Sequence, residues 1–288
     1  MTVAPTPATP PVARDELSYV YAVGPRGPEL ARAAPELTGL QDRPVHTVEA
    51  GGLAAVVSRV PEAQFGEEGF KAQLEDLGRL EVIARTHHGV VDALFRAVTV
   101  LPLRLATVYR DDERVAAMLE ESRTEFGGLL DRLAGHLECG VKVYALPPDP
   151  RNAPSAPART GGAGGERGAA GSNPGRDYLR RRKAQRTRHE DSAREAAETA
   201  ARVREVAAAH AVDRVAHRPQ QGELATGEGR NITNEAYLVP AGTTGAFAEA
   251  VRAAARDLPG VRVEVTGPWA PYSFATPPPV EDGGRRGR

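Results

Sequence analysis

Few residues in this chain are of a type that could do chemistry, and most of them fail on spacing. His87 and His88 are adjacent within RLEVIARTHHGVVDALF, a run of helical period. Neighbouring helical residues point about a hundred degrees apart, so the two imidazoles cannot converge on one metal ion. No third ligand stands at a spacing such as HExxH. One of the pair falls on the apolar stripe, where packing and a local hydrogen bond are its expected role. Arg104 lies between leucines, so it faces water or pairs with a carboxylate, and a structural ion pair is expected. Thr107 beside it carries no triad. Cys139, the single cysteine, follows Glu138, which disfavours a thiolate nucleophile.

Glycine-rich runs occur at 161–171 and 222–229, but neither joins a strand to a helix with dinucleotide or P-loop spacing. GTTGAF at 242–247 opens a helix that could hold an anion, yet it lacks the P-loop lysine. No cofactor, metal or catalytic residue is therefore expected. Two clusters remain as binding candidates. Arg176, Arg180, Arg181, Arg182, Lys183, Arg186 and Arg188 crowd the start of a long helix, diluted by Asp177, Glu190, Asp191 and Glu195. They suit a solvated face or an acidic partner or, as an alternative, a nucleic-acid-binding regulator using 176–188; an aromatic content of 5% argues against the last. GPWAPYSF at 267–274 holds the only tryptophan. Trp269, Tyr272 and Phe274 either close the core of a small C-terminal domain or present a partner anchor.

These residues need elements to position them. Residues 78–98 are periodic at helical spacing, with Leu80, Ile83, His87, Val91, Leu94 and Val98 on one stripe. From Leu101 the period changes to alternation, with Leu101, Leu103 and Leu105 on one side of a strand. Pro102 requires that strand to begin, bulge or lie at an edge. Earlier, Leu17–Val23 reads as a strand, and Gly24, Pro25, Gly27 and Pro28 end it. Val45–Glu49 and Leu53–Val60 form a hairpin about Gly51 and Gly52. A short helix is expected at 67–76. A single helix is expected over 112–137, led by Asp111 and Asp112, with Gly127-Gly128 allowing a bend or close packing. Val141–Leu146 follows as a strand.

Residues 147–175 are rich in Pro, Gly, Ala and Ser and read as a flexible linker. A long basic, then alanine-rich helix covers 176–211. Strands at 212–217 and 234–240, a helix from Thr243 or Thr244 to Leu258, and a cleanly alternating strand at 261–266 complete a βαβ-type unit. The expected organisation is a disordered tail at 1–16, an α+β domain at 17–146, the linker, the long helix, a C-terminal domain at 212–274 and a disordered tail at 275–288.

Composition narrows the function. The formal net charge of −1 gives no global attraction for nucleic acid or membrane. One cysteine allows no intramolecular disulfide, and MTVAPTPATPPVARDE has no secretory pattern. No apolar run reaches the roughly 18 residues of a membrane span, so a cytoplasmic protein is expected.

Several stretches together are recognisable. YVYAV at 19–23, HHGVVDALF at 87–95 and VLPLRLATVYRDDERVAAML at 100–119 are followed by GVKVYA at 140–145, GRDYLRRRKAQR at 175–186, NEAYLV at 234–239 and TGPWAPYSF at 266–274. This ordered set resembles the gas vesicle GvpL/GvpF family. The resemblance implies a two-domain α+β chain whose second domain is a ferredoxin-like variant. It also implies an accessory protein of gas vesicle formation that binds the hydrophobic shell protein and other accessory proteins. Some members of the family stay as minor vesicle components, and it has no catalytic residues to transfer.

Overall fold

Strand β1 (Glu16–Pro25) runs through the centre of the first sheet, and Tyr19 to Val23 along it are completely buried. Such burial needs cover on both faces, and alternation supplies the side chains for it. This is a computed structural model, and it describes residues 15–146, 174–219, 229–256 and 260–275. The readings made for the tail at 1–14, for 147–173, for 220–228, for the helix end at 257–259 and for 276–288 lie outside the described residues. The chain divides into two units, Met1–Glu138 with Pro268–Arg288, and Cys139–Gly267.

In the first unit, β1 pairs antiparallel with β3 (Leu53–Pro61), which pairs with β2 (Val45–Ala50). Ala50 opposes Leu53, so the β2–β3 turn has two residues. Gly51 and Gly52 both take positive φ there, 59° and 79°, which matches the twist of a hairpin. On the other side of β1 the expected leucine strand is replaced by two short ones. β4 (Leu101–Pro102) pairs with Ala22 and Val23, and β5 (Val108–Tyr109) pairs with Ser18 and Tyr19. Between them the chain turns through Ala106, whose φ is +64°, so the Leu101–Leu105 alternation breaks off. Pro102 does sit at the sheet's edge, as a residue without an N–H must.

The helices cover this sheet. Pro28 begins helix α1 (Pro28–Ala33) instead of only ending β1, a use that its fixed φ favours. Helices α2 (Glu62–Phe65) and α3 (Glu67–Glu75) precede α4 (Leu77–Ala97), which Asp76 caps by accepting from the N–H groups of Gly78 and Arg79. Ile83, His87, Val91 and Leu94 of α4 are buried along the expected stripe. The helix expected over 112–137 is two, α5 (Asp112–Glu121) and α6 (Arg123–Leu133). The break falls at Ser122 rather than at Gly127-Gly128, and Gly135 at φ +72° ends the segment early.

The second sheet has the order β7-β8-β6-β9. Its strands are β6 (His136–Ala145), β7 (Asp213–His217), β8 (Arg230–Pro240) and β9 (Val261–Trp269). Helix α7 (Pro174–Ala209) stands between β6 and β7 in the chain, and α8 (Thr244–Ala255) between β8 and β9. The two strands flanking α8 are not neighbours, because β6 lies between them. Ala200, Val203 and Ala207 of α7 join Val141, Val143, Tyr237, Val239, Phe247 and Val251 in one core, with Val261, Val263 and Val265 against it. These units cut the chain differently from the linker-based reading. The strand at 136–145 pairs in the second sheet, and the segment from Pro268 goes with the first unit.

Candidate functional site

The first unit's buried polar residues form a chain of neutral hydrogen bonds that starts from β1 and α4. The Ala106 N–H donates to the Tyr19 hydroxyl at 3.2 Å. Tyr19 Oη lies 2.9 Å from His87 Nδ1, and His87 Nε2 lies 3.1 Å from the Leu103 carbonyl oxygen. A carbonyl only accepts, so Nε2 carries the proton and Nδ1 accepts from tyrosine. Burial, with a smaller contribution from His88, pushes the His87 pKa down to about 4, so the ring stays neutral. Every polar atom of the imidazole is engaged in holding the turn between β4 and β5. His88, one residue on, is exposed and stacks edge-on to Tyr272 at 4.9 Å.

A second cluster lies on the other face of β1. Asp112 accepts from Ser18 Oγ at 2.7 Å and pairs with Arg59 at 2.7 Å and His46 at 3.0 Å. Burial alone would raise this carboxyl; the hydrogen bonds from His46 and Ser18 and the charges of His46 and Arg59 outweigh it and hold the pKa below the usual carboxylate value. Serine, histidine and aspartate are all present, but Ser18 donates to the carboxylate and not to the imidazole, so no activated nucleophile results. Asp112 reads as a possible cap from sequence. Asp111 fills that role by accepting from the Arg114 N–H at 2.8 Å, which frees Asp112 for the ion pairs.

The third cluster belongs to the second unit. Glu235 on β8 is 5% exposed and accepts from Arg204 of α7 at 2.8 Å and Arg214 of β7 at 2.7 Å. Its other oxygen accepts from the Tyr237 hydroxyl at 2.6 Å. Burial again works against the charge, while these hydrogen bonds and both guanidinium groups hold the carboxyl low. The result ties α7 to its sheet.

The sequence candidates for partner binding come out unevenly. Trp269 is 51% exposed and so does not close a core. Its neighbours do: Ala270 is buried in the first unit's core, with Tyr272 packed against it, and Phe274 is 1% exposed. Glu138 holds this segment by accepting from the N–H and the hydroxyl of Ser273, both at 2.7 Å. The Tyr272 hydroxyl is buried without a hydrogen-bond partner among the described residues. Arg182 and Arg186 are exposed on α7; the side chains of Arg180 and Arg181 lie outside the described residues. Arg104 is exposed and forms no ion pair among the described residues, contrary to the expected structural pair. Cys139 is buried at 3%. Sequence reasoning missed Asp112 and Glu235 as cluster centres, since their partners come from strands and helices distant in the chain.

Two antiparallel sheets with helices on them and buried polar groups committed to the fold define an α+β protein. Among the described residues no group of acidic, histidine and cysteine side chains could hold a metal ion, and no helix is long and apolar enough to cross a membrane. The family model described as gas vesicle synthesis protein GvpL/GvpF matches residues 17–276, and the chain belongs to this family. It is 40% identical over 262 residues to gas vesicle protein L of Streptomyces sp. (strain CB03234), covering 91% of this chain and 93% of that one. The fold is similar to the crystal structure of GvpF from Anabaena sp. PCC7120, with a TM-score of 0.61 at 17% identity, over 91% of this chain and 97% of that one. GvpF from Microcystis aeruginosa is similar at a TM-score of 0.60 and 19% identity, over 90% and 99%.

Proposed function

We propose that this chain is a non-enzymatic accessory protein of gas vesicle assembly. It binds the hydrophobic shell protein and other accessory proteins in the cytoplasm, and it can remain as a minor vesicle component. The family relationship over 17–276, which takes in both units, carries this reading. The chemistry of the buried polar groups agrees with it. His87, Asp112 and Glu235 each spend their hydrogen-bonding capacity on positioning strands and helices, and a catalytic group must keep some for a substrate. The exposed groups are of the kinds that bind proteins. Trp269 is the aromatic anchor, with Tyr272 and Phe274 fixing the segment that presents it; Arg182 and Arg186 supply exposed charge, and Arg180 and Arg181 belong to the same basic run of the sequence.

The architecture is read in the same terms. The succession β6-α7-β7-β8-α8-β9 with order β7-β8-β6-β9 is that of a split βαβ, ferredoxin-like sheet. We take it as the second of two domains, with 147–175 as the insertion that leads into its first helix.

The test is co-expression with the major gas vesicle shell protein of the same genome, followed by purification from the soluble fraction. A stoichiometric complex is expected. A folded chain that captures neither the shell protein nor another accessory protein contradicts the proposal.

A further inference from the structure

We propose that copies of this chain associate head to tail, the basic half of α7 in one copy docking into the groove between α2–α3 and α4 of the next. The two surfaces are complementary in charge and in apolar content, and each is exposed among the described residues.

Helix α7 is used unevenly. Among its described side chains the buried ones, Ala196, Thr199, Ala200, Val203 and Ala207, all lie in its second half. In the first half Leu179, Arg182, Lys183, Arg186 and Thr187 are all exposed, and their spacing puts them on one stripe. Leu179 is 63% exposed in the middle of these cations. Seven arginine and lysine residues stand against one carboxylate over 176–188. Arg182 and Arg186 are like charges four residues apart on one stripe of the helix. Such a pair opposes helix formation, and a negatively charged surface alongside would offset the repulsion.

The groove has the opposite character. It encloses about 530 Å³ and has Leu40, Phe65, Val82 and Ile83 among its lining. Val82 is 63% exposed, and Leu77 at the start of α4 is 79% exposed. Helices α2 and α3 beside it carry Glu62, Glu67, Glu68 and Glu75, all exposed, against Lys71; on the α4 side Arg79, itself in the lining, pairs with Asp76 and Arg85 pairs with Glu81, so the rim keeps a net negative charge. A leucine flanked by arginines therefore faces an apolar floor flanked by carboxylates, a helix-in-groove match with charge complementarity. The stripe from Leu179 to Thr187 has no aromatic residue on which a base could stack, which favours a protein occupant over nucleic acid. Because two different surfaces meet, the contact is heterologous and leaves a free surface at each end of the assembly.

The test uses the full chain and two charge-reversed variants, Arg182→Glu with Lys183→Glu, and Glu68→Lys with Glu75→Lys. Mass is followed by sedimentation velocity against concentration and salt, and circular dichroism confirms that each variant is folded. The unaltered chain should grow in mass with concentration, and its association should weaken about tenfold or more at high salt. Each variant alone should stay monomeric, since it keeps one working surface of the two. An equimolar mixture of the variants should associate again, since each surface of one variant then meets a surface of opposite charge on the other. A wild-type chain that is monomeric throughout at low salt overturns the proposal. So do variants that assemble like the wild type, a mixture that stays monomeric, or association that requires added nucleic acid.

Discussion

The two most deeply buried polar clusters solve different problems. In the first unit the Ala106–Tyr19–His87–Leu103 chain is neutral and ends on backbone groups. In the second unit the Glu235 cluster is charged and joins side chains to side chains. The difference follows from the backbone each one supports. Between β4 and β5 the chain leaves the ladder, and its N–H and C=O groups need partners from elsewhere. Around β8 the ladder and helix satisfy the backbone, so the polar side chains are free to pair with one another. A neutral clamp fits an irregular turn, and an ionic one fixes a regular helix on a regular sheet.

Breaking the neutral clamp should have the largest effect. His87→Ala leaves a cavity and two unpaired partners and should cost about 3–4 kcal/mol in a denaturant titration of the first unit. A loss below about 1 kcal/mol would mean that the turn holds itself.

The comparison sharpens under acid. His87 is held at about 4 in the fold against 6.5 in the unfolded chain, so the unfolded state binds the extra proton between these values. Its contribution is whole above pH 6.5 and falls by about 3 kcal/mol as the pH drops to 4. Glu235 behaves differently, because its folded pKa is depressed: its contribution is whole over most of that window and is lost as the pH falls below the ordinary value of 4.5. Thermal melts against pH should thus show the first unit weakening before the second, and His87→Gln should remove that early loss.

Glu235→Gln is a smaller lesion. Arg204 and Arg214 are each 41% exposed and can turn to water, so the cost should be about 1–2 kcal/mol by denaturation. Trp269→Ala should be the smallest, under about 1 kcal/mol, since half of the ring is already in water.

Much of this arrangement was legible from periodicity. The stripe on α4, the hairpin about Gly51-Gly52, the strand of β9 and the long helix all follow from residue types at fixed spacing. The β4–β5 turn was not legible, because alanine at positive φ carries no local signal; the Tyr19 and His87 side chains impose it across the fold. The helix break at Ser122 was hidden for a similar reason, as Gly127-Gly128 looked weaker. Pro28 was legible as a helix start and was read only as a strand end. Of the candidate site, the basic run and the tryptophan were visible in the sequence. Their exposure was not, nor was the return of Ala270–Phe274 to the first unit, which depends on Glu138 meeting Ser273 from 135 residues away.

The most direct test pairs stability with capture in two variants, His87→Ala and Trp269→Ala, each co-expressed with the shell protein and each melted alone. If the buried polar groups are structural and the exposed aromatic is functional, His87→Ala lowers the melting temperature. Trp269→Ala then leaves it in place while shell-protein capture falls. A Trp269→Ala chain that captures the shell protein as well as the unaltered one, with the same melting temperature, contradicts that division.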